Sequence, residues 1–492
     1  MFRIAVAGTG YVGLVAGVCF AEVGHTVTCV DIDEQKISLL QSGVSPIYEA
    51  GLETMLQRNI ASGRLRFTTD YASAYRQADT IFIGVGTPEQ PDGSANLTYI
   101  AAVARQIAES IEKDCLVVVK STVPVGTNDK VERFLRDFLP IRKLRPGQGK
   151  PIRVEVASNP EFLAQGTAVR DTMSAARVVI GTASKWAEEI LMKIYEPFHL
   201  PVVSVSRRSA EMIKYASNDF LALKISYIND IANLCELAGA DIQDVVSGMG
   251  YDGRIGRQYL SPGIGYGGSC FPKDTKALDY LAKQHGYQLR TVKAAIDVNT
   301  DQKTALFRKA RNRLITFLGL KVAVLGLTFK GGTDDLREAA SLENIPLLLE
   351  QGASICAYDP AGMGNFRKLY SEGNTGKGSI RYAKSPEDAL EEANVCFVFT
   401  DWDEFKALEP GVFQRLMHTP LVFDGRNLYG TREMADSGVE YYSIGRPAPE
   451  MKKGTEYDLR NRYDLPHYRS GRVRRVSPGK AAAGVRLPGD WC

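Results

Sequence analysis

The sequence predicts an α/β protein of two doubly wound domains joined by a long central helix, with a disordered tail at the C-terminus. Three observations predict it. Short unbroken apolar runs alternate with helical periodicity over the first ~130 residues. The same alternation restarts at Lys321, and between the two series residues 209–237 contain neither Pro nor Gly.

Taken in order, residues 4–7, 26–30, 80–85 and 116–119 are continuous and rich in Val and Ile, as strands covered on both faces are. Periodic segments at 12–23 and 99–111 supply helices between them, a βαβ series. The basic stretch 142–150, with Pro146, Gly147 and Gly149, reads as a loop, and 153–157 resumes as a strand. Within 209–237, Met212, Ile213, Tyr215, Ala216, Phe220, Leu221 and Leu223 fall at helical spacing. That helix exceeds the usual ~10–14 residues and suits a connector or a dimer interface. Runs at 321–325, 354–358, 395–400 and 421–423 repeat the first rhythm. After Pro447 periodicity disappears among Pro, Gly and Arg. The expected domains are 1–205, 206–305, 306–447 and a basic tail, 448–492.

Composition excludes several classes. With 44% apolar and 24% charged residues over 492 positions, the chain reads as globular and too long for one core. No apolar stretch reaches the ~18 residues of a membrane span, and no secretory signal opens the chain. Eight scattered cysteines without a CxxC pair, and five histidines, suggest neither a disulfide framework nor a metal site, and point to a reducing, cytoplasmic setting. The net charge of +3 is uneven. Residues 448–492 carry ten Lys/Arg against five Asp/Glu, which leaves the body slightly acidic and no candidate for nucleic acid. The tail's arginines suit an anionic partner.

Gly8-Thr9-Gly10-Tyr11-Val12-Gly13 follows a strand and opens a helix. The first glycine serves the tight turn, the second lets backbone approach a pyrophosphate, and the third lets helix and strand pack closely, so the first domain is expected to be Rossmann-like. Asp31, ending the next strand, stands where an acid holds the adenine ribose hydroxyls. It would repel a 2′-phosphate, so NAD is favoured over NADP, although Lys36 nearby softens that preference.

The most unusual stretch runs Gly263-Ile264-Gly265-Tyr266-Gly267-Gly268-Ser269-Cys270-Phe271-Pro272-Lys273-Asp274. Most cysteines are small buried apolar residues. Here the preceding glycines leave room for a substrate, Lys273 is placed to lower the thiol pKa or stabilise an oxyanion, and Asp274 to handle a proton. An NAD site with a reactive cysteine points to oxidation of an alcohol to an acid. The aldehyde formed first cannot lose a second hydride until a nucleophile has added to it.

These motifs resemble the UDP-glucose/GDP-mannose dehydrogenase family over about residues 1–444. The resemblance also rests on Gly86-Thr87-Pro88, Ser121-Thr122-Val123-Pro124-Val125-Gly126-Thr127, Asn159-Pro160-Glu161-Phe162-Leu163, Gly326-Leu327-Thr328-Phe329-Lys330, Thr333-Asp334-Asp335-Leu336-Arg337-Glu338 and Asp424-Gly425-Arg426. It implies oxidation of UDP-glucose to UDP-glucuronate, as used in polysaccharide biosynthesis, or of another nucleotide sugar such as a UDP-N-acetylhexosamine or GDP-mannose. By the same resemblance Cys270 is the nucleophile, Glu161 the acid/base, Lys214 and Asn218 the oxyanion pair one helical turn apart, and Thr122 and Asp274 the positioners of water. Thr87, Ser121, Thr122, Lys273 and Arg337 join Gly8, Gly10, Tyr11, Val12, Gly13, Asp31 and Lys36 around NAD. Phe162, Leu163, Tyr259, Gly267, Phe329, Lys330 and Arg426, with Lys214 and Asn218, receive the sugar nucleotide. Arg254 reaches the substrate of a neighbouring subunit, which implies a homodimer or higher homo-oligomer. One departure stands out: Gln165 occupies a position where many members carry a second glutamate.

Overall fold

The computed structural model describes residues 1–139 and 152–447. The expected loop at 142–150 and the basic tail at 448–492, with its anionic partner, lie outside the described residues.

Eight strands form the first sheet: β1 (Arg3–Ala7), β2 (Thr26–Val30), β3 (Leu65–Thr68), β4 (Thr80–Ile83), β5 (Cys115–Val119), β6 (Val154–Ser158), β7 (Val178–Gly181) and β8 (Val202–Val205). Their order is β3-β2-β1-β4-β5-β6-β7-β8. All four residues of β4 and all five of β5 are buried, which is why both read as unbroken apolar runs. All three central strands run parallel, but the order in which strands are added reverses at β1, with β2 on one side and β4 on the other, and ligands in such sheets bind at the carboxyl ends beside that switch point.

The second sheet contains β9 (Lys321–Leu325), β10 (Ser354–Tyr358), β11 (Gly373–Thr375), β12 (Gly378–Tyr382), β13 (Val395–Val398), β14 (Leu421–Asp424) and β15 (Glu440–Tyr442). They are ordered β11-β12-β10-β9-β13-β14-β15. Strands β2, β9 and β10 match the expected spans. The sheets are not parallel throughout: β6 meets β7 antiparallel through Ser158 and Gly181, and β11 and β12 form an antiparallel hairpin. Strands β3 and β12 alternate buried with less buried residues, and β7, β8, β11 and β15 are three or four residues long and interrupted by polar residues or glycine, so none shows as a long apolar run. The edge strand β8 is only half-buried at its ends and exposed in its middle.

Between the sheets runs the helix Arg207–Ala238, 32 residues long and about 48 Å at the α-helical rise. Ser206 caps its start by accepting from the Ser209 N–H, and Gly239, at φ 73°, ends it. Its buried positions include Ala210, Lys214, Asn218, Ala222, Ser226, Asn229 and Ala232, a stripe at three- and four-residue spacing. It packs against the helices Phe271–Gln284 and Arg290–Gln302. Two buried polar residues, Lys214 and Asn218, therefore sit on its inner face by register alone.

Candidate active site

The loop after β1 is shaped by its own backbone. Gly8 lies at φ +95°, donates to Val30 O at 2.7 Å, and a Cβ there would fall 3.0 Å from Gly84 O. A Cβ on Gly13 would fall 2.1 Å from Gly8 O. Gly10 faces open space, and the helix Tyr11–Glu22 that it precedes has no side-chain cap and no acid in its first turn. Uncapped N–H groups behind a position where no side chain stands are what a pyrophosphate requires. The residues therefore fit a dinucleotide. Asp31 completes the fit. Burial works against its charge, but hydrogen bonds from Thr9 N and Oγ1 to Oδ2 (2.8 and 2.7 Å) and the nearby Lys36 ammonium at 3.6 Å hold its carboxyl below the usual range. Ser121 Oγ donates to Val85 O at 2.6 Å and Thr87 Oγ1 to Thr122 O at 2.8 Å, tying the loops after β4 and β5 together.

A cavity of about 830 Å³ opens beside this loop, large enough for a sugar nucleotide. Its walls include Tyr11, Val12, Glu161, Phe162, Leu163, Asn218, Tyr259, Gly267, Cys270, Phe329, Lys330 and Arg426. Cys270 stands immediately before the helix Phe271–Gln284, with Asp274 in the first turn. Lys214 Nζ meets Glu161 Oε1 at 2.9 Å, with both side chains buried. Burial opposes the Lys214 charge, yet Glu161, Cys270 and Asp274 outweigh it and raise its pKa. For Cys270, burial together with Glu161 and Asp274 pushes the thiol up, against the pull of Lys214 and a weak contact from Ser269 Oγ at 3.7 Å. The cation acting on the thiol is thus Lys214. Lys273, expected to lower the thiol pKa, instead pairs with Asp274 Oδ1 at 2.5 Å. Asn218 Nδ2 holds the other oxygen, Oδ2, at 2.7 Å.

The glycines before Cys270 have a second use. A Cβ on Gly267 would lie 2.4 Å from Glu338 O, and one on Gly268 would lie 2.7 Å from the Phe329 ring, so both admit segments that follow β9. Arg426 knits the same junction, donating to Phe399 O and Phe329 O at 2.8 Å and to Gly265 O at 3.3 Å.

Models of the UDP-glucose/GDP-mannose dehydrogenase family match over the whole body of the chain: the NAD binding domain at residues 2–199, the central domain at 208–301 and the UDP binding domain at 323–431. The UDP-glucose 6-dehydrogenase YwqF of Bacillus subtilis is 47% identical over 446 residues, covering 91% of this chain and 98% of that protein. The chain belongs to the UDP-glucose/GDP-mannose dehydrogenase family. The UDP-glucose 6-dehydrogenase of Rhizobium meliloti is 46% identical, covering 90% of this chain and 100% of that one. A UDP-glucose dehydrogenase structure from Pyrobaculum islandicum superposes with TM-score 0.82 at 36% identity, covering 91% and 98% of the two chains. A UDP-D-ManNAc dehydrogenase structure from Pyrococcus horikoshii gives 0.78 at 27% identity, covering 90% and 99%. This member of the family is an NAD-dependent oxidoreductase.

Within this dehydrogenase, Lys214, Glu161, Cys270, Asn218 and Asp274 come together from three separate segments. Thr122 is outside the cavity wall. Arg254 also stands outside it, with its side chain 89% exposed and paired to Asp252 at 2.6 Å. Arg337 is exposed and held by Asp335. Sequence reasoning missed several residues. Lys120 is buried on the cavity wall, donates to Asn159 Oδ1 at 3.1 Å and Tyr195 OH at 3.3 Å, and is brought down to about 8 by burial. Its place just before the Ser121-Thr122 motif was the available signal. Glu49, which accepts from Tyr11 OH at 2.6 Å and from the Gly166 and Ala168 N–H groups at 2.7 Å, had none. Among the described residues no group of His, Cys, Asp and Glu could hold a metal ion, and no helix is long and apolar enough to cross a membrane.

Proposed function

We propose that this enzyme oxidises the primary alcohol of UDP-glucose to the carboxylate of UDP-glucuronate, with Cys270 as covalent catalyst. The buried Lys214–Glu161 pair beside Cys270, on the rim of a nucleotide-sized cavity, carries the reading. Bound NAD supplies the hydride acceptor in the cradle formed by Gly8, Gly10, Gly13 and Asp31, with Thr87, Ser121, Lys273 and Arg337 around it. Lys330 and Arg426, both on the cavity wall, meet the diphosphate, while Phe162, Leu163, Tyr259, Gly267 and Phe329 enclose the uridine and sugar. Glu161 takes the hydroxyl proton, and the Lys214 ammonium with Asn218 stabilises oxygen as it gains charge. Once the alcohol has become an aldehyde, Cys270 Sγ bonds to its carbonyl carbon while the thiol proton ends on the carbonyl oxygen, which gives a thiohemiacetal. Loss of the second hydride leaves a thioester on Cys270. Water directed by Thr122 and Asp274 attacks that carbonyl, the C–S bond breaks, and the thiol and a carboxylate are released. The balance is two NADH per sugar. One NADH per sugar, or none, would overturn the reading, and a panel of UDP- and GDP-sugars tests the choice of UDP-glucose over a UDP-N-acetylhexosamine.

The enzyme acts as a homodimer or larger homo-oligomer through the Arg207–Ala238 helix. Phe220, Tyr227 and Leu234 recur on its outer side every seven residues and are 61%, 50% and 60% exposed, a stripe that a second copy would cover. Arg254 then serves the neighbouring copy's cavity. The division at 205, 305 and 447 places NAD on the first domain, the interface on the second and UDP on the third. A cytoplasmic setting agrees with the seven cysteines among the described residues, all of which are unbridged.

A further inference from the structure

Gln165 is buried on the loop that carries Glu161, and neither of its amide atoms points at Cys270's cluster. Its Nε2 donates to Asp335 Oδ2 at 3.0 Å, and its Oε1 accepts from Thr333 Oγ1 at 3.5 Å. Both partners belong to the segment after β9, on the far side of the cleft. The next residue, Gly166, lies at φ +83°, and a Cβ there would fall 2.8 Å from Gly332 O, so the two backbones touch beside the amide. Gly166 N meanwhile donates to Glu49 Oε2, which also receives Tyr11 OH from the dinucleotide loop. On the other side Asp335 grips Arg337, accepting Nε on Oδ1 at 2.9 Å and Nη2 on Oδ2 at 2.7 Å. Burial works against the Asp335 charge, but Arg337 and Gln165 more than offset it and hold the carboxyl below the usual range.

We propose that Gln165 is a positioning residue that latches the Glu161 loop to the Thr333–Arg337 segment and so sets Arg337 at the NAD side of the cleft. The chemistry of the position follows from its partners. An amide can donate to a carboxylate and accept from a hydroxyl at once, whereas a glutamate there would present two acceptors to an ionised Asp335. The amide of Gln165 is therefore suited to a structural role between these two partners. This rests on the reading of Arg337 as an NAD contact.

A double-mutant cycle tests it, with NAD affinity measured by calorimetry on the full chain without sugar nucleotide. Q165L, which keeps bulk and loses the hydrogen bonds, should weaken NAD by about ten-fold. Q165E should weaken it further, by roughly 100-fold, since it also repels Asp335. Q165E/D335N, which exchanges donor and acceptor across the cleft, should bind NAD at least ten-fold better than the product of the single effects. Under turnover the KM for NAD should rise more than kcat falls. Affinities within two-fold of the parent for Q165L and Q165E, or strict additivity in the cycle, would overturn the latch. If Q165E does not fold, Q165L and D335N with their double variant give the same cycle. The parent enzyme's NADH yield with UDP-glucose is read separately: failure there sinks the proposed reaction, while the NAD cycle still judges the latch.

Discussion

The two glycine-rich loops of this molecule look alike in sequence and are built for different reasons. In the loop at Gly8 the clashes that glycine avoids are with the loop itself and the neighbouring strand end: Gly13 against Gly8 O, and Gly8 against Gly84 O. In the loop before Cys270 they are with distant chain: Gly263 against Gly425 O, Gly265 against Asn299 Oδ1, and Gly267 against Glu338 O. The first loop is a local device that any βαβ unit can carry. The second exists only where the two sheets meet. The charges differ too. Asp31 in the first region is stabilised as an anion by Thr9, whereas Asp219, one residue past Asn218, is buried with both oxygens unpartnered and raised to about 8 by burial and by Asp274.

The largest effect should fall on the junction. Cys270→Ser should lower carboxylate formation by roughly 10³-fold or more, because a serine hydroxyl is far less nucleophilic than a thiolate. Quantifying UDP-glucuronate and NADH per sugar checks this, and normal product would break the covalent scheme. Next comes Lys214→Met. Removing one member of a buried ion pair leaves an uncompensated charge, so unfolding free energy should drop by about 3–5 kcal/mol in denaturant titrations. In the parent, the Lys214 pKa lies above its unfolded value, so its contribution is present below the unfolded lysine pKa of ~10.4 and lost as pH rises through the folded one.

A pair of glycine substitutions sharpens the contrast directly. Gly267→Ala should cost about 1–3 kcal/mol in stability, since the methyl would press on Glu338 O. Gly10→Ala meets open space, so melting should barely move while NAD affinity falls by roughly ten-fold. Equal loss of stability in both would erase the distinction. The last contrast concerns Asp219. Its folded pKa is raised, so its contribution is full below the unfolded value of ~3.9 and is lost as pH rises toward about 8. Asp219→Asn should remove that decline, making the variant the more stable protein above pH 8 in thermal melts at several pH values.

Much of this was legible in advance. The runs at 26–30, 321–325 and 354–358 are strands as read, because a strand covered on both faces must be apolar throughout. The long helix was readable from its lack of Pro and Gly. The dinucleotide loop could be read because its glycine spacing and its helix start lie within one βαβ unit, with Gly13 packed on Gly8 O, although Gly8 also meets Gly84 after β4. The short strands β7 and β8 carried too little signal, and the antiparallel step from β6 to β7 had none.

By itself the sequence determined the two α/β halves, the helix between them and the NAD cradle, and through motif resemblance it singled out Cys270 as the expected nucleophile. Tertiary structure decided which cation acts on Cys270, that Lys273 is committed to Asp274, and that Gln165 faces Asp335 from across the cleft. The physical reason is one of range. Backbone sterics and apolar periodicity act over a few residues and leave their mark in order. Burial of charge, and the pairing that makes it tolerable, depends on which distant segments meet.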